Sequence, residues 1–440
     1  ICHCLVGSEM CIRDSVKILR NAMIRTDSNE LSMNWDEYRK IDHSFSNVIS
    51  GEMPATNQKS SGRCWGFAGL NLFRVYLGRK HNLKNFEFSQ SYFMFWDKLE
   101  KANYFLESII DTISEKSDSR IVMHLLSYPL EDGGQWDMWV NLINKYGVLP
   151  QTEMSESFST SQSAQMNKMI SNKLREYASE LRNSHKNGES LEKLRELKDK
   201  MIEEVFKMLS MHIGTPPQTF DWQVRNKDKK FLRFENLTPQ SFFKEHVALN
   251  LEDYVCLINC PMKDKEYNKV YTVEHLGNVI EGRNIRYLNV TSKEMKDASI
   301  KSIKDDNPVW FGCDVGKYFH RNLGVMDTNL FDYNFFYDSE FKMNKAQRLE
   351  YGQSMMTHAM LFTGVDLDEK GNPVKWRVEN SWGKKGGSKG YHIMSDDWFD
   401  EYNYEVVVHK DYLSNELNDL FQNAEAIPLK PWDPMGALAK

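Results

Sequence analysis

The sequence predicts an α+β fold in which a largely helical first half precedes a β-rich second half. Apolar residues recur at helical spacing as far as Met211. From Tyr254 onward, seven short β-rich runs are separated by turn residues, which is typical of a twisted antiparallel sheet or a partial barrel. A helical half beside a β half suggests two lobes with a cleft between them.

Three helical segments are predicted in the first half. The first has Cys64 at its N-terminal end and closes near Gly78, and two more cover Ser89–Glu100 and Gln135–Lys145. Between Ser161 and Met211, apolar residues step at three and four positions on both sides of a polar break, which predicts an antiparallel helical hairpin. Its apolar stripe fits equally well an insertion packed on the parent domain or an arm that docks on another subunit.

These patterns divide the chain into five expected parts. They are a non-native or disordered extension (1–15), an N-terminal segment with a helical lobe (16–160), the hairpin insertion (161–250), a β-rich lobe (251–425) and a C-terminal arm (426–440).

Composition excludes several classes of protein. Hydrophobic residues make up 41% of the 440 residues and aromatic residues 12%, which is too much for a disordered chain. The formal charge of −6 does not favour nucleic acid as a partner, and the absence of an apolar run of about 18 residues predicts no membrane span. Seven thinly spread cysteines do not form a disulfide framework and favour a reducing compartment, so we predict a cytoplasmic protein.

Cys64 is the first residue that suggests chemistry. It opens a helix, where converging backbone N–H groups and the positive end of the helix dipole favour a thiolate. Gln58, six residues upstream, can offer its side-chain amide beside the N–H of Cys64 and so form an oxyanion hole. The alternative is a buried structural cysteine, which is the commoner role for a lone cysteine.

Two later segments supply possible partners for a nucleophile. His358 opens a predicted strand, and Asn380 ends another, so a hairpin between the strands can bring the amide to the imidazole. Trp382 would then cover that contact and exclude water. The alternatives are a histidine satisfied in the core and an aromatic side chain that only anchors a hairpin.

The order of these residues resembles that of papain-type cysteine peptidases. Longer stretches are similar to the bleomycin hydrolase and aminopeptidase C family, and they are TNQKSSGRCW, FEFSQSY, DGGQWDM, KYGV, SIKDDNPVWFGCDVGK, MTHAM, KWRVENSWG and PWDPMGALAK. The resemblance covers residue 50 to the last residue. Ser-Gly-Arg-Cys replaces the usual Cys-Gly-Ser-Cys, and His358 lies much further from Cys64 than the roughly 130–150 residues of ordinary papain-like enzymes.

The resemblance implies a papain-like two-lobe fold and a cytosolic cysteine aminopeptidase. In that case Cys64, His358 and Asn380 are catalytic, and Gln58 with the Cys64 N–H forms the oxyanion hole. Gly133 and Gly134 would pair with the backbone of a peptide that has a free N-terminus. No metal and no other cofactor is implied.

The resemblance also implies that the C-terminal arm lies in the cleft. Removal of Lys440 by the enzyme itself would leave the carboxylate of Ala439 to meet the substrate's amino group. Relatives assemble as homohexamers, with the hairpin as the candidate contact between subunits. The remaining alternatives are an endopeptidase with an open cleft and a non-catalytic assembly or binding protein.

Overall fold

The computed structural model of the protein describes residues 14–439. The extension predicted at 1–15 therefore lies outside the described residues, apart from 14 and 15, which begin the first helix. The helices are α1 Asp14–Met23, α2 Ser28–Ser32, α3 Trp35–Tyr38, α4 Cys64–Lys80, α5 Gln90–Asp111, α6 Arg120–Ser127, α7 Trp136–Tyr146, α8 Phe158–Ser161, α9 Ala164–Lys186, α10 Leu191–Ile213, α11 Pro239–Phe242, α12 Ser292–Lys304, α13 Tyr333–Tyr337, α14 Lys345–Glu350, α15 Asp396–Tyr402 and α16 Asn415–Asn423. Single turns of other helix types cover Phe243–Val247, Leu251–Asp253, Lys410–Tyr412 and Pro434–Gly436.

Helix α4 is the central helix, and most of its residues are buried on every side. Two glycines make this packing possible. A Cβ at Gly66 would lie 2.3 Å from the ring of Phe93 on α5, and a Cβ at Gly69 would lie 2.3 Å from the ring of Trp139 on α7. Neighbouring aromatic rings therefore reach the backbone of α4, and Cys64 is held firmly at its N-terminal end.

The predicted hairpin is formed by α9 and α10, both of which pack on α5. Ser190 caps the second helix by accepting the N–H of Lys193. The rest of the 161–250 segment contains strands as well as short helical turns. Its strands β2 (Phe220–Arg225) and β3 (Phe231–Leu237) form a separate antiparallel sheet. The sequence analysis did not predict these two strands.

The main sheet consists of 12 strands, which are β1 Asn47–Val48, β4 Tyr254–Ile258, β5 Lys269–Val273, β6 Tyr287–Asn289, β7 Val309–Cys313, β8 Phe319–His320, β9 Val325–Met326, β10 His358–Leu367, β11 Pro373–Glu379, β12 Tyr391–Ser395, β13 Asn403–His409 and β14 Ile427–Leu429. Their order in the sheet is β14-β5-β6-β4-β13-β7-β10-β11-β12-β9-β8, and β1 pairs with β10.

The sequence predicted a twisted antiparallel sheet or a partial barrel, and the observed sheet follows that expectation only in part. The central pairs are antiparallel, but β4–β6, β5–β14 and β9–β12 are parallel. Each parallel pair involves a strand of two to five residues that is reached through a longer connection. Alternation within such a strand predicts which face is buried but not the direction of its neighbour. The sheet is therefore mixed.

A buried ion pair joins α4 to the strand that leads into Asn380. Arg74 donates to Glu379, the last residue of β11, and the two side chains are 1% and 2% exposed. Asn71 also donates to the Glu379 carboxylate, at 2.9 Å. Removing one member of such a pair leaves the other charge buried without compensation.

We therefore predict that Glu379→Ala lowers the free energy of unfolding by about 3–5 kcal/mol. Urea denaturation provides the measurement. Glu37→Ala is the matched control, since its pair with Lys40 is exposed at 38% and 67% and a pair of this kind contributes about 0–1 kcal/mol. Equal losses in the two variants would contradict the prediction.

Candidate active site

Cys64 lies where α4 meets the main sheet. It is the first residue of the helix and is fully buried. Its Sγ accepts the backbone N–H of Ala359 at 3.4 Å. Because Ala359 directly follows His358 at the head of β10, this contact brings the predicted nucleophile and the predicted base to one place.

The imidazole of His358 is oriented by Asn380. Its Nε2 lies 2.9 Å from Asn380 Oδ1, which also accepts the backbone N–H of Ser381 at 2.7 Å. An amide oxygen can only accept, so Nε2 carries the proton and Nδ1 is the other ring nitrogen. Trp382 lies with its ring centroid 4.9 Å from that of His358. The structure thus brings together His358, Asn380 and Trp382, the three residues that the sequence analysis placed beside one another.

Gln58 is held in a single orientation beside the start of α4. Its Nε2 donates to the carbonyl oxygen of Ser61 at 2.6 Å, and its Oε1 accepts from Ser381 Oγ at 2.6 Å. The backbone N–H of Gln58 also donates to the Ser381 carbonyl, at 2.8 Å. An amide nitrogen carries two N–H groups, so one remains after the bond to Ser61.

The C-terminal arm reaches one of the two predicted glycines, Gly134. The backbone N–H of Gly134 donates to the Ala439 carbonyl at 3.0 Å, and Gln135 Nε2 donates to the Ala437 carbonyl at 2.5 Å. Ala439 is itself buried. Gly133 instead faces α5, since its carbonyl accepts Lys101 Nζ at 2.6 Å. Lys440 lies outside the described residues.

The structure adds a second reason for glycine at position 134. A Cβ there would lie 2.5 Å from the indole ring of Trp65 on α4. The sequence analysis explained the missing side chain by close approach of a peptide backbone. In the structure, the indole ring of Trp65 packs against one side of Gly134, and the backbone N–H of Gly134 pairs with the arm.

Two residues that help to shape the site were missed. Ser381 holds Gln58, although it stands inside the Asn-Ser-Trp-Gly motif that drew attention to its neighbours. Asp132 precedes the two glycines and accepts the Gly62 N–H at 3.0 Å, while its own carbonyl accepts Trp65 Nε1 at 2.7 Å. The only signal in the sequence that could have identified Asp132 as part of the site is its position directly before Gly133 and Gly134.

Asp132 is also tied to the surrounding helices. Lys98 of α5 pairs with its carboxylate at 2.7 Å, and Asn167 of α9 donates to it at 2.7 Å. Ser163 donates to it as well. The pKa of Asp132 is lowered because Lys98 and these donors outweigh the effect of burial. The loop before Cys64 is thus fastened to both α5 and the hairpin.

Burial dominates the electrostatics at the sulfur. It raises the pKa of the Cys64 thiol to about 12, although the backbone N–H groups of Ala359, Trp65 and Cys64 itself lower it. A thiol in this setting keeps its proton at neutral pH unless a neighbouring base takes it. Transfer of the proton to the imidazole of His358, the predicted base, would give a thiolate at neutral pH as part of an ion pair.

A second buried histidine lies beneath the loop that follows Trp382. His392 is 2% exposed, and neither ring nitrogen has a hydrogen-bond partner within the described chain. Burial, together with the nearby His358, lowers its pKa to about 4. His392 is therefore neutral at pH 7, so it does not oppose a positive charge on His358.

Open space flanks the site on the side of the arm. A cavity of about 610 Å³ is bounded by the arm residues Ala437 and Leu438 and by Met356 and Thr357, which precede His358. A second cavity, of about 660 Å³, lies between the loop at Gln58 and the hairpin. Both are large enough to receive amino-acid side chains.

Within residues 14–439, no group of three or more His, Cys, Asp or Glu side chains could hold a metal ion. A search of the same residues finds no helix with the length and apolar character needed to cross a bilayer.

The site and the fold together define a cysteine peptidase of the papain class. The model of the Peptidase C1-like family matches residues 8–436, so the chain belongs to this family. The predicted resemblance and the predicted enzyme class, a cysteine peptidase, are confirmed.

Particular relatives are similar over most of their length. Aminopeptidase C of Listeria innocua is 50% identical over 385 residues, which are 87% of this chain and 86% of the relative. Bleomycin hydrolase of Mus musculus is 46% identical over 406 residues, which are 90% and 89% of the two chains. The crystal structure of PepW from Lactobacillus rhamnosis matches with a TM-score of 0.95 at 44% identity, covering 99% of this chain and 97% of that one. A mixed α/β fold of the papain-like family is thereby confirmed.

The raised pKa of Cys64 leads to a prediction about its alkylation. In the His358→Ala variant, the rate of Cys64 alkylation by iodoacetamide should climb with pH beyond pH 10 without a plateau, because burial holds the thiol pKa near 12. The wild type should react near neutral pH, where the imidazole can take the proton. Mass spectrometry of the peptide containing Cys64 separates it from the other cysteines, and identical pH profiles would contradict the prediction.

Proposed function

We propose that the protein removes the N-terminal residue from peptides through an acyl-enzyme formed on Cys64. The prediction of a cysteine aminopeptidase is confirmed at the level of family and relatives. The observation that best supports this activity in the chain itself is the end of the arm. Ala439 pairs with Gly134 on one side of a site that joins Cys64, His358 and Asn380.

The chemistry begins with proton transfer from the Cys64 thiol to His358. The resulting thiolate attacks the carbonyl carbon of the first peptide bond, and the carbonyl oxygen takes up the negative charge. His358 then protonates the leaving amine, so that the C–N bond breaks and a thioester remains. Water, deprotonated by the same imidazole, attacks the thioester and releases the N-terminal amino acid together with the Cys64 thiol.

Asn380 keeps the imidazole in the orientation that this sequence needs. Its Oδ1 accepts the proton on Nε2, which leaves Nδ1 to exchange a proton with the sulfur. An amide adds no charge, so the thiolate and imidazolium remain a neutral pair overall. Trp382 packs on the imidazole and limits the access of water to this hydrogen bond.

The arm limits the site to the removal of one residue. Its backbone occupies the position at Gly134 where a longer peptide would pair upstream of the cleaved bond. Only the N-terminal residue of a substrate then fits between the arm and Cys64. We further propose that loss of Lys440 places the Ala439 carboxylate opposite the substrate's amino group, where opposite charges attract.

A cytoplasmic location and a hexameric assembly remain parts of the proposal. The four described cysteines are all free thiols, as expected in a reducing compartment. The hairpin exposes apolar side chains, with Met211 at 84% and Leu191 at 46%, and a neighbouring subunit could cover them.

The first test compares aminoacyl arylamides that have a free amino group with the same compounds acetylated at nitrogen. We expect hydrolysis of the free-amine substrates only, because the arm leaves no room for a group attached to the nitrogen of the N-terminal residue. Cys64→Ala should lose this hydrolysis completely, because it lacks the nucleophile. Release of the arylamine provides the measurement. Cleavage of the acetylated substrates would support an open-cleft endopeptidase, and the absence of any Cys64-dependent turnover would support a non-catalytic binding protein.

The second test concerns the oxyanion hole. Gln58→Ala should lower kcat by about 10²–10³ with little change in KM, because the amide N–H is needed only when negative charge develops on the oxygen. Steady-state kinetics with a free-amine arylamide measures both constants. Gln162→Ala, at an exposed position nearby, is the control and should keep the wild-type kcat. A change confined to KM would contradict the proposed role of Gln58.

A further inference from the structure

The arm determines where the rest of a substrate must go. Because Ala439 occupies the side of the site at Gly134, the peptide that leaves after cleavage must extend toward the opposite side. Trp382 packs against His358, the group that protonates the leaving amine in the proposed reaction, so we infer that the leaving peptide passes Trp382. This reasoning rests on the proposed aminopeptidase function.

Three segments meet around Trp382 and form one surface. They are residues 55–63, 316–325 and 380–392. The N–H of Gly383 donates to the Thr56 carbonyl at 2.7 Å, and the N–H of Gly387 donates to the Asn322 carbonyl at 3.2 Å. The guanidinium of Arg321 lies over the Trp382 ring, 4.6 Å from its centroid. These contacts hold the three segments together beside the site.

This surface carries an excess of positive charge. Five exposed cations belong to it, and we call them the basic rim: Lys59, Arg321, Lys384, Lys385 and Lys389. The three segments contain no Asp or Glu. Carboxylates from outside the segments pair with His320 and Lys317, whereas none of the five rim side chains forms an ion pair with a carboxylate of residues 14–439. A concentrated positive surface in a chain of formal charge −6 indicates an anionic partner.

We propose that the basic rim binds carboxylates of the leaving part of the peptide. These carboxylates come either from acidic side chains after the cleaved bond or from the C-terminus of a short peptide. A peptide fits better than a nucleic acid because the rim continues directly into Trp382 and the catalytic imidazole. The protein thus prefers peptides that are acidic or short on the leaving side.

Four peptides that share an N-terminal Leu-Ala test this preference. Leu-Ala-Glu-amide and Leu-Ala-Lys-amide compare side-chain charge, while Leu-Ala-Ala and its amide compare the terminal carboxylate. We expect kcat/KM for the Glu peptide to exceed that for the Lys peptide about tenfold at low salt. The preference should shrink as ionic strength rises from about 0.01 to 0.15 M, since the Debye length falls from about 30 to 8 Å.

A charge-reversed rim provides the decisive variant. Lys384→Glu with Lys385→Glu should bring the Glu:Lys ratio to one or below. Lys116→Glu with Lys186→Glu, which reverses two exposed lysines elsewhere, is the matched control and should keep the wild-type ratio. Active-site titration with a thiol reagent sets the enzyme concentrations, so a misfolded fraction does not enter the ratio.

The possible failures are distinguishable. If no peptide loses its N-terminal Leu, the proposed aminopeptidase function fails. If all four are cleaved at equal rates, or if rim reversal leaves the ratio unchanged, only the rim proposal is overturned. Inhibition by a short single-stranded oligonucleotide, lost on rim reversal and without any preference among the peptides, would assign the rim to nucleic acid and overturn the proposal as well.

Discussion

The contact between the first turn of α4 and the head of β10 is the constraint on which the site depends. The Ala359 N–H reaches Cys64 Sγ, and β10 can deliver it only because β7 and β11 hold that strand on either side. Asn380 follows directly from β11, so the sheet that positions His358 also positions the residue that orients it. The helix provides the sulfur, and the sheet positions the imidazole and the amide that orients it.

A second set of contacts holds the loop between the helix and the arm. Asp132 links the backbone before Cys64 to α5 and to the hairpin, and the next two residues contact Lys101 and Ala439. The hairpin is therefore more than an appended arm, because Asn167 of its first helix holds Asp132, which in turn holds the loop that leads into the nucleophile. This explains physically how an insertion far from Cys64 in sequence can affect the geometry of the site.

Much of the fold could be read from local patterns. The helix at Cys64 was predicted to close near Gly78 and ends at Lys80 in the structure, because its apolar content and the basic residues of its last turn are local properties. The strand pair β2–β3 was missed, and the directions of the outer strands were assigned wrongly. Both depend on which segments become neighbours, and a period of two in the sequence carries no information about that.

The sequence by itself determined the chemical groups at the site: a cysteine at a helix start, a histidine and an asparagine at strand ends, and a glutamine upstream. The tertiary structure alone decided their electrostatics and access. The sulfur is buried so deeply that it needs an imidazole to lose its proton, His392 is kept neutral, and the arm closes one side. The reason is physical: bonding capacity belongs to a residue, whereas the cost of carrying charge depends on what packs around it.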